Sequence, residues 1–238
     1  MTPFSDLLDI LHEDNHVIGL NKPAGWPTTH FDGTEETVDR LVKAYLKEKY
    51  QKPGNVFLGV VHRLDKLTSG ALLFARTSKA ASRLSEQFRD GAAEKVYWAV
   101  VEPSVVDGRK PRELPDAGTL IDHLFHDEVE KRVRAVPADF PGAKPARLHY
   151  AVKARADGKL LLEIRPQTGR KHQLRVQMAS RGYPILGDRK YGSAESYGSF
   201  IALHARSLTV IHPTQNEPIT LTAEVPKNWK GRFAKMLI

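Results

Sequence analysis

Side chains that could do chemistry are concentrated in short segments, and the first is His62–Gly70. It places one carboxylate, Asp65, between the cations Arg63 and Lys66. Neighbouring positive charge favours the ionised form of a carboxylate, so Asp65 could act as a nucleophile or an anionic stabiliser near neutral pH. The alternative is structural, since loop Asp residues commonly accept hydrogen bonds from turn N–H groups.

A second segment, Gln167–Arg175, combines three cations with hydrogen-bonding side chains where a strand is predicted to pass into a helix. The positive end of a helix, with the side chains of Arg170 and Lys171, could hold a nucleic-acid backbone. Arg175, about one turn further on, could point elsewhere. The alternative is a solvated basic helix start.

The net charge of +8, from 36 Lys and Arg against 28 Asp and Glu, favours a polyanionic partner. The absence of cysteine excludes disulfides, thiolate nucleophiles and Cys-ligated zinc, and it suits a reducing compartment. No apolar run approaches the roughly 20 residues that span a bilayer, and the N-terminus lacks a signal pattern. We therefore expect a cytoplasmic protein without membrane association.

Cofactor motifs are missing as well. Phosphate loops, dinucleotide fingerprints and serine hydrolase signatures do not occur. The nearest candidate metal ligands, His123 and His126, lie three residues apart without a carboxylate motif. We expect no metal and no cofactor.

Hydrophobic patterning indicates how these segments are positioned. It predicts an α+β fold: a mainly antiparallel mixed sheet with flanking helices. Predicted helices cover Val38–Leu46 (with Thr34 as a possible cap), Ser78–Phe88 and His172–Arg181, the last with Leu174 and Met178 inward. Predicted strands are a pair within Asp9–Asn21, Val56–Val61, Ala71–Ala75, Lys95–Glu102, Thr119–Phe125, Leu148–Ala154, Leu160–Arg165, Ile201–Ile211 and Ile219–Val225.

Two Pro-rich stretches, near residues 103–118 and 137–146, are predicted to be surface excursions. Neither is long enough to mark a domain boundary, and no internal repeat occurs. We therefore expect a single domain over residues 1–238.

Taken in order, several segments resemble the RluA-type family of RNA pseudouridine synthases. The loop His-Arg-Leu-Asp-x-x-Thr-Ser-Gly is similar to that family's catalytic loop. The other matching segments are Asn21–Gly25, Lys95–Val101, Thr168–Arg175, Pro184–Gly192 and Leu203–Ala205. The resemblance extends from about residue 8 to about residue 226. It therefore implies one pseudouridine synthase catalytic domain over residues 1–238, with no separate N-terminal RNA-binding domain. Position 177 departs from it, being Gln where the family more often has His, which we expect to adjust RNA contact or packing.

The resemblance implies the pseudouridine synthase fold with a central catalytic cleft, and isomerisation of uridine to pseudouridine in structured rRNA or tRNA. It assigns the catalytic carboxylate to Asp65, uracil stacking to Tyr97 and a carboxylate-pairing cation to Arg175, with Arg170 as the alternative for that last role. Because a uridine in folded RNA must be extruded before it reacts, we assign Arg63 to the vacated space. The alternative for Arg63 is a phosphate contact or an ion pair.

Further contacts follow from the same resemblance. Arg170, Lys171 and His172 are expected to bind RNA, with His62 and His172 also orienting their loops. Leu186 and Leu203 are expected beneath the base, although core packing explains both equally well. We expect the protein to act as a monomer.

Two other functions fit part of the pattern. A non-catalytic RNA-binding protein on the same scaffold would need the basic charge and the aromatics, but not an intact Asp65, Tyr97 and Arg175. A glycosidase would normally need a second carboxylate, and Glu94 and Glu102 match no catalytic position.

Overall fold

The computed structural model describes residues 8–29, 36–108, 110–111 and 113–237. The chain divides into two compact units. The first comprises the residues up to Lys95 together with Ala205–Pro226, and the second comprises Val96–His204 together with the residues from Lys227 onward. Each unit is therefore assembled from two separate stretches of chain.

Hydrogen-bonded β-strands form the body of the first unit. In spatial order they are β1 (Ile10–Glu13), β2 (Val17–Lys22), β4 (Ser69–Ala75) and β10 (Leu203–Ile211, in this unit from Ala205). Strand β3 (Gly59–Val60) pairs with β4, and β11 (Pro218–Thr222) pairs with β10. Strand β4 is buried at all seven positions, which explains its continuous apolar sequence.

Two helices accompany these strands. The first, α1 (Val38–Lys49), begins after Thr37, whereas the predicted cap Thr34 lies outside the described residues. The second, α2 (Ser78–Asp90), is capped by the Thr77 side chain, which accepts the Ala80 N–H. Its buried face joins a core with apolar residues of the surrounding strands: Val17, Ala71, Leu73, Ala75, Ala80, Leu84, Ala93, Leu208, Val210, Leu221 and Ala223.

The second unit is built on five antiparallel strands. In spatial order they are β5 (Glu94–Val101, in this unit from Val96), β9 (Lys159–Pro166), β8 (Lys144–Ala156), β6 (Ala117–Asp127) and β7 (Arg132–Val136). Helix α3 (Gln173–Ala179) packs against β6 and β7. Helix α4 (Lys227–Arg232) buries Trp229.

The α+β class with mainly antiparallel strands is confirmed, and so is the hairpin formed by β8 and β9. Its turn, Asp157-Gly158, has left-handed φ angles of 50° and 72°, as expected for a two-residue hairpin loop. Among the described residues no helix is long and apolar enough to cross a bilayer.

Several predicted bounds were wrong. The predicted strand Val56–Val61 is observed only as Gly59–Val60, and the predicted helix His172–Arg181 only as Gln173–Ala179. Leu174 is only partly buried, whereas Met178 is fully buried as expected. The Pro-rich stretch near 137–146 is in part regular structure, because Pro145 lies within β8 opposite His123 of β6.

Candidate active site

The loop that carries Asp65 connects β3 to β4 in the first unit. Asp65 is partly buried, and its carbonyl accepts the Thr68 N–H at 3.0 Å, which forms a turn. The preceding residue, Leu64, is buried and fixed at both backbone groups by one hydroxyl. Thr28 Oγ1 donates to the Leu64 carbonyl at 2.9 Å and accepts the Leu64 N–H at 3.2 Å. Arg63 is exposed to solvent.

A fully buried lysine lies beneath the same loop. Lys22 Nζ donates to the carbonyls of Pro23 and Trp26, both at 2.9 Å, and to that of Lys66 at 3.4 Å. The Gly25 N–H donates to the Lys66 carbonyl at 2.7 Å. Burial lowers the pKa of Lys22 to about 7, and the carboxylate of Asp65 acts in the opposite direction. The turn at Asn21–Gly25 therefore places the Lys22 amino group beneath the Asp65 loop, where its charge interacts with the Asp65 carboxylate.

Sequence reasoning did not identify Lys22 as a site residue. Its turn belongs to the segments that carry the resemblance, but a lysine in a Pro-Gly turn is usually solvated. One signal was available: the turn directly follows β2. The last residues of β2 pair with the first residues of β4, and β4 begins where the Asp65 loop ends.

His62 holds the other end of the Asp65 loop. Its Nε2 accepts the Leu73 N–H at 2.9 Å, and its ring stacks on Phe88 with centroids 4.5 Å apart. Burial lowers the pKa of His62 to about 3, with a smaller contribution from the charge of Lys95. His62 is therefore neutral at physiological pH and joins the loop to β4 and α2, which agrees with its expected orienting role.

Tyr97 lies on β5 in the second unit, opposite Ile164 of β9. It is partly buried, whereas the strand becomes fully buried from Ala99 onward. The aromatic ring thus belongs to the more accessible half of the strand. Its assignment as the uracil-stacking residue stays a prediction.

Arg175 projects from α3 and is held by Asp188 in the second unit. The contact is bidentate, from Nε to Oδ2 at 2.7 Å and from Nη2 to Oδ1 at 2.9 Å, and both side chains are buried. The guanidinium also lies 5.0 Å from the centroid of the Tyr191 ring. A buried charge of this kind is tolerated because it is paired with good geometry. The expected pairing of Arg175 with Asp65 stays a prediction.

Asp188 is a second residue that sequence reasoning missed. It belongs to Gly182–Gly192, a segment whose glycines and proline stand out more than its carboxylate. The Gly-Asp-x-x-Tyr-Gly pattern within that segment was the available signal, because it also contains Tyr191.

The three neighbouring RNA-binding candidates make different contacts. Arg170 Nε donates to the Pro145 carbonyl at 3.0 Å, and Lys171 Nζ lies 2.8 Å from His126 Nε2. His172 has a left-handed φ of 51°, and its Nδ1 lies 2.7 Å from the Tyr191 hydroxyl.

Helix α3 has only seven residues and no side-chain cap. A helix this short supplies little dipole of its own. Phosphate binding by Arg170 and Lys171 would therefore depend on their side chains.

The remaining candidates are buried in the second unit. Leu186 and Leu203 are core residues, and their place beneath the base stays a prediction. Gln177 is fully buried, and its Nε2 donates to Asp122 Oδ2 at 2.8 Å and to the carbonyls of Leu120 and Ala146. Of the two roles expected for Gln177, this contact set favours packing.

His123 and His126 lie on β6, and among the described residues no group of three or more His, Asp or Glu side chains could hold a metal ion. His126 instead contacts Lys171. Independence from metal stays a prediction.

Comparison with known proteins identifies the family. Residues 16–180 match the family model described as RNA pseudouridylate synthase. The tRNA pseudouridine synthase C of Yersinia pestis is 33% identical over 248 residues, covering 96% of this chain and 91% of that protein. The protein of the same name from Pectobacterium carotovorum is 33% identical, with 94% of this chain matching 61% of its length.

Two further relatives extend the comparison. The ribosomal large subunit pseudouridine synthase D of Xylella fastidiosa is 35% identical, covering 93% of this chain and 67% of that protein. The structure of human RNA pseudouridylate synthase domain containing 4 has a TM-score of 0.76 at 24% identity, covering 96% of this chain and 92% of that one, which is a likeness of fold. The chain belongs to the RNA pseudouridylate synthase family, the isomerases that convert uridine to pseudouridine in RNA.

Proposed function

We propose that this chain isomerises uridine with Asp65 as its catalytic carboxylate. The observation that supports this most is the way the Asp65 loop is held. The buried Lys22 ammonium, Thr28 and His62 fix residues on either side of Asp65, while Asp65 itself stays partly accessible. A catalytic group must be held within a fraction of an ångström, and such support is what that precision requires.

The reaction breaks the glycosidic bond between N1 and C1′, turns the uracil while it is held, and joins C5 to C1′. The proton on C5 is lost and N1 gains one, so the RNA keeps its mass. Positive charge develops at C1′ as N1 departs, and an ionised Asp65 beside the sugar would stabilise it or bond to the sugar directly.

Tyr97 and Arg175 complete the proposed catalytic set. An unperturbed phenol has a pKa near 10 and is a poor base at neutral pH, so Tyr97 is assigned to stacking on the uracil. Asp188 binds Nε and Nη2 of Arg175. We assign Arg175 as the cation that pairs with Asp65, because a guanidinium contact keeps a carboxylate ionised.

The uridine must leave its stack in folded RNA, at a cost of a few kcal/mol. The exposed side chain of Arg63, two residues from Asp65, is suited to occupy the vacated space. Leu186 and Leu203 are proposed to lie beneath the extruded base, and Arg170, Lys171 and His172 to contact the backbone.

The substrate is proposed to be structured tRNA or rRNA. Relatives of similar identity are named for transfer RNA and for the large ribosomal subunit, so the names favour neither class over the other. We further propose that the protein acts as a monomer in the cytoplasm, where these RNAs occur. The absence of cysteine suits this compartment, because disulfides do not persist under its reducing conditions.

Asp65→Asn tests the proposal directly. Total RNA lacking this enzyme's modification would be incubated with wild type, with Asp65→Asn and with the exposed control Asp139→Asn, and pseudouridine would be mapped. We expect wild type and the control to form product, and Asp65→Asn to retain less than about a thousandth of the rate. A larger residual rate would remove Asp65 as the essential carboxylate.

The same samples separate the other functions. RNA binding without product by wild type would indicate a non-catalytic RNA-binding protein. Release of free uracil would indicate a hydrolase, since isomerisation leaves the RNA mass unchanged.

A further inference from the structure

Two guanidinium groups of the second unit lie over one aromatic ring, and two lysines next to Tyr191 and His172 in the sequence belong to the same group of interacting charges. Arg132 and Arg175 place their guanidinium carbons 5.6 Å and 5.0 Å from the Tyr191 ring centroid. Lys190 precedes Tyr191 in the chain, and Lys171 precedes His172, whose ring contacts the Tyr191 hydroxyl. We call Arg132, Lys171, Arg175 and Lys190 the Tyr191 cation cluster.

In the described part of the chain, few carboxylates neutralise the positive charge of the exposed cluster members. Among the described residues, no carboxylate oxygen lies within 4.0 Å of the Lys171 or Lys190 ammonium. Lys171 contacts the imidazole of His126, and Lys190 donates to the backbone carbonyl of Lys131. Arg132 reaches the exposed Asp107, at 4.0 Å.

The members of the cluster also repel one another. Burial lowers the pKa of Lys190, and the charges of Arg175, Lys171 and Arg132 lower it further, while Asp188 acts in the opposite direction. Cations on long, flexible side chains normally separate into solvent to relieve such repulsion. Here the hydrogen bonds to His126 and to the Lys131 carbonyl hold both ammonium groups within the cluster instead.

A bound anion would relieve the repulsion between these cations. One phosphodiester carries a single negative charge on two non-bridging oxygens, which accept hydrogen bonds from several cations at once. Resting on the proposed function, we infer that Lys171, Lys190 and Arg132 form a subsite for one backbone phosphate of the RNA substrate. Arg175 is excluded from direct contact, because it is buried and paired with Asp188.

Salt dependence of RNA binding tests this subsite. The dissociation constant of an end-labelled, unmodified tRNA transcript would be measured by anisotropy from low to moderate KCl, for wild type, Lys190→Gln, Arg132→Gln and the exposed control Lys153→Gln. Phosphate contacts are independent of sequence, so any structured transcript reports on them. We expect each cluster variant to bind more weakly and to lower the slope of log K against log salt by up to about one unit, with the control unchanged.

An unchanged slope for both Lys190→Gln and Arg132→Gln would overturn the inference, as would an equal loss in Lys153→Gln. A second arm titrates wild type and Lys190→Gln with inorganic phosphate at constant ionic strength and follows the melting temperature. Stabilisation of wild type by phosphate, together with identical RNA binding by both proteins, would assign the cluster to a free anion and contradict the RNA subsite.

The binding experiment tests the phosphate subsite separately from the proposed isomerisation of uridine. Pseudouridine formed by wild type with no effect of Lys190→Gln on binding contradicts only the subsite. Loss of affinity in Lys190→Gln with no pseudouridine from wild type contradicts only the proposed function.

Discussion

Lys22 is buried, although its position in a turn of the sequence is typical of a solvent-exposed lysine. It is a charged residue with no exposed surface, and backbone carbonyls of two loops surround its ammonium group. From the sequence, Asp65 and its flanking cations could be proposed because type and spacing are visible there. The role of Lys22 could not, since burial depends on contacts between β2 and the distant Asp65 loop.

The buried ammonium predicts how stability depends on pH. The pKa of Lys22 is about 7 in the folded chain, against the ordinary lysine value of 10.5 expected when unfolded. Between these values the unfolded chain binds a proton that the folded chain lacks, so raising the pH stabilises the folded state by up to about 1.4 kcal/mol per pH unit.

Urea unfolding of wild type and Lys22→Met from pH 7 to pH 10 measures this effect. We expect the free energy of unfolding of wild type to rise relative to that of Lys22→Met as the pH increases. The exposed Lys52→Met serves as control and should follow wild type. A constant difference between wild type and Lys22→Met would show that Lys22 keeps its proton throughout.

Arg175 and Arg170 are five positions apart and are predicted to give different phenotypes. Arg175 is buried against Asp188, whereas Arg170 is exposed. Arg175→Lys keeps the charge but loses the bidentate contact, so we expect it to lower the rate at saturating RNA more than the affinity. We expect Arg170→Gln mainly to weaken binding and to lower its salt slope.

Single-turnover kinetics together with binding at several salt concentrations distinguish the two roles. Asp188→Asn is a useful companion, because it should resemble Arg175→Lys if Asp188 positions the guanidinium. If Arg170→Gln lost the saturated rate and Arg175→Lys lost only salt-dependent affinity, the two assignments would be reversed.

At the scale of elements, the junction between the Asp65 loop and β4 depends on a close backbone approach. Gly70 has a φ of 116°, and a Cβ at this position would lie 2.2 Å from the Ala205 carbonyl oxygen. Gly70→Ala combines an unfavourable φ with a clash against backbone, so we expect it to destabilise the protein by more than about 1 kcal/mol. Gly54→Ala, where a Cβ meets nothing within 4 Å, is the matched control.

Thermal or urea unfolding of the two glycine variants is the measurement. Equal stability of Gly70→Ala and Gly54→Ala would mean that β4 and β10 separate at little cost at this point.

His62 couples the same loop to β4 through a titratable group. The folded pKa is about 3, against the ordinary histidine value of 6.5, so between these values the unfolded chain binds a proton that the folded chain does not. Stability contributed by the neutral ring is therefore complete above pH 6.5 and is lost as the pH falls towards 3.

We expect wild type to lose stability relative to His62→Phe on acidification. The variant is less stable at neutral pH, by roughly 1–3 kcal/mol, because the Leu73 N–H loses its acceptor. Unfolding curves of both proteins between pH 7 and pH 4 provide the measurement, and parallel pH profiles would contradict the prediction.

Prediction of elements from the sequence succeeded where local signals were strong. The hairpin of β8 and β9 combines two apolar strands with an Asp-Gly turn, and α2 has apolar residues at regular helical spacing. The strand β7 escaped prediction because Lys131 adopts a left-handed φ of 49° in a turn without glycine or proline. Helix α4 is only six residues long and buries mainly Trp229, so its periodic pattern is too short to recognise.

At the scale of the whole molecule, the family's reaction conserves mass and changes no oxidation state. The described residues contain no cluster suited to a metal ion, and the chain has no cysteine ligand. We expect pseudouridine formation to continue unchanged in the presence of a chelator, on an RNA whose folding needs no magnesium. Loss of activity on chelation, restored by added zinc, would show that metal-free catalysis is wrong.

The division of the chain into two units affects how the protein is made. The first unit needs β10 and β11, whose Leu208, Val210 and Leu221 belong to its core. During synthesis on the ribosome these strands emerge only after the long stretch that belongs to the second unit, from Val96 to His204. The loop bearing Asp65 is thus translated early but acquires its completed core late, so a nascent chain stalled before residue 205 should remain open to proteolysis around that loop.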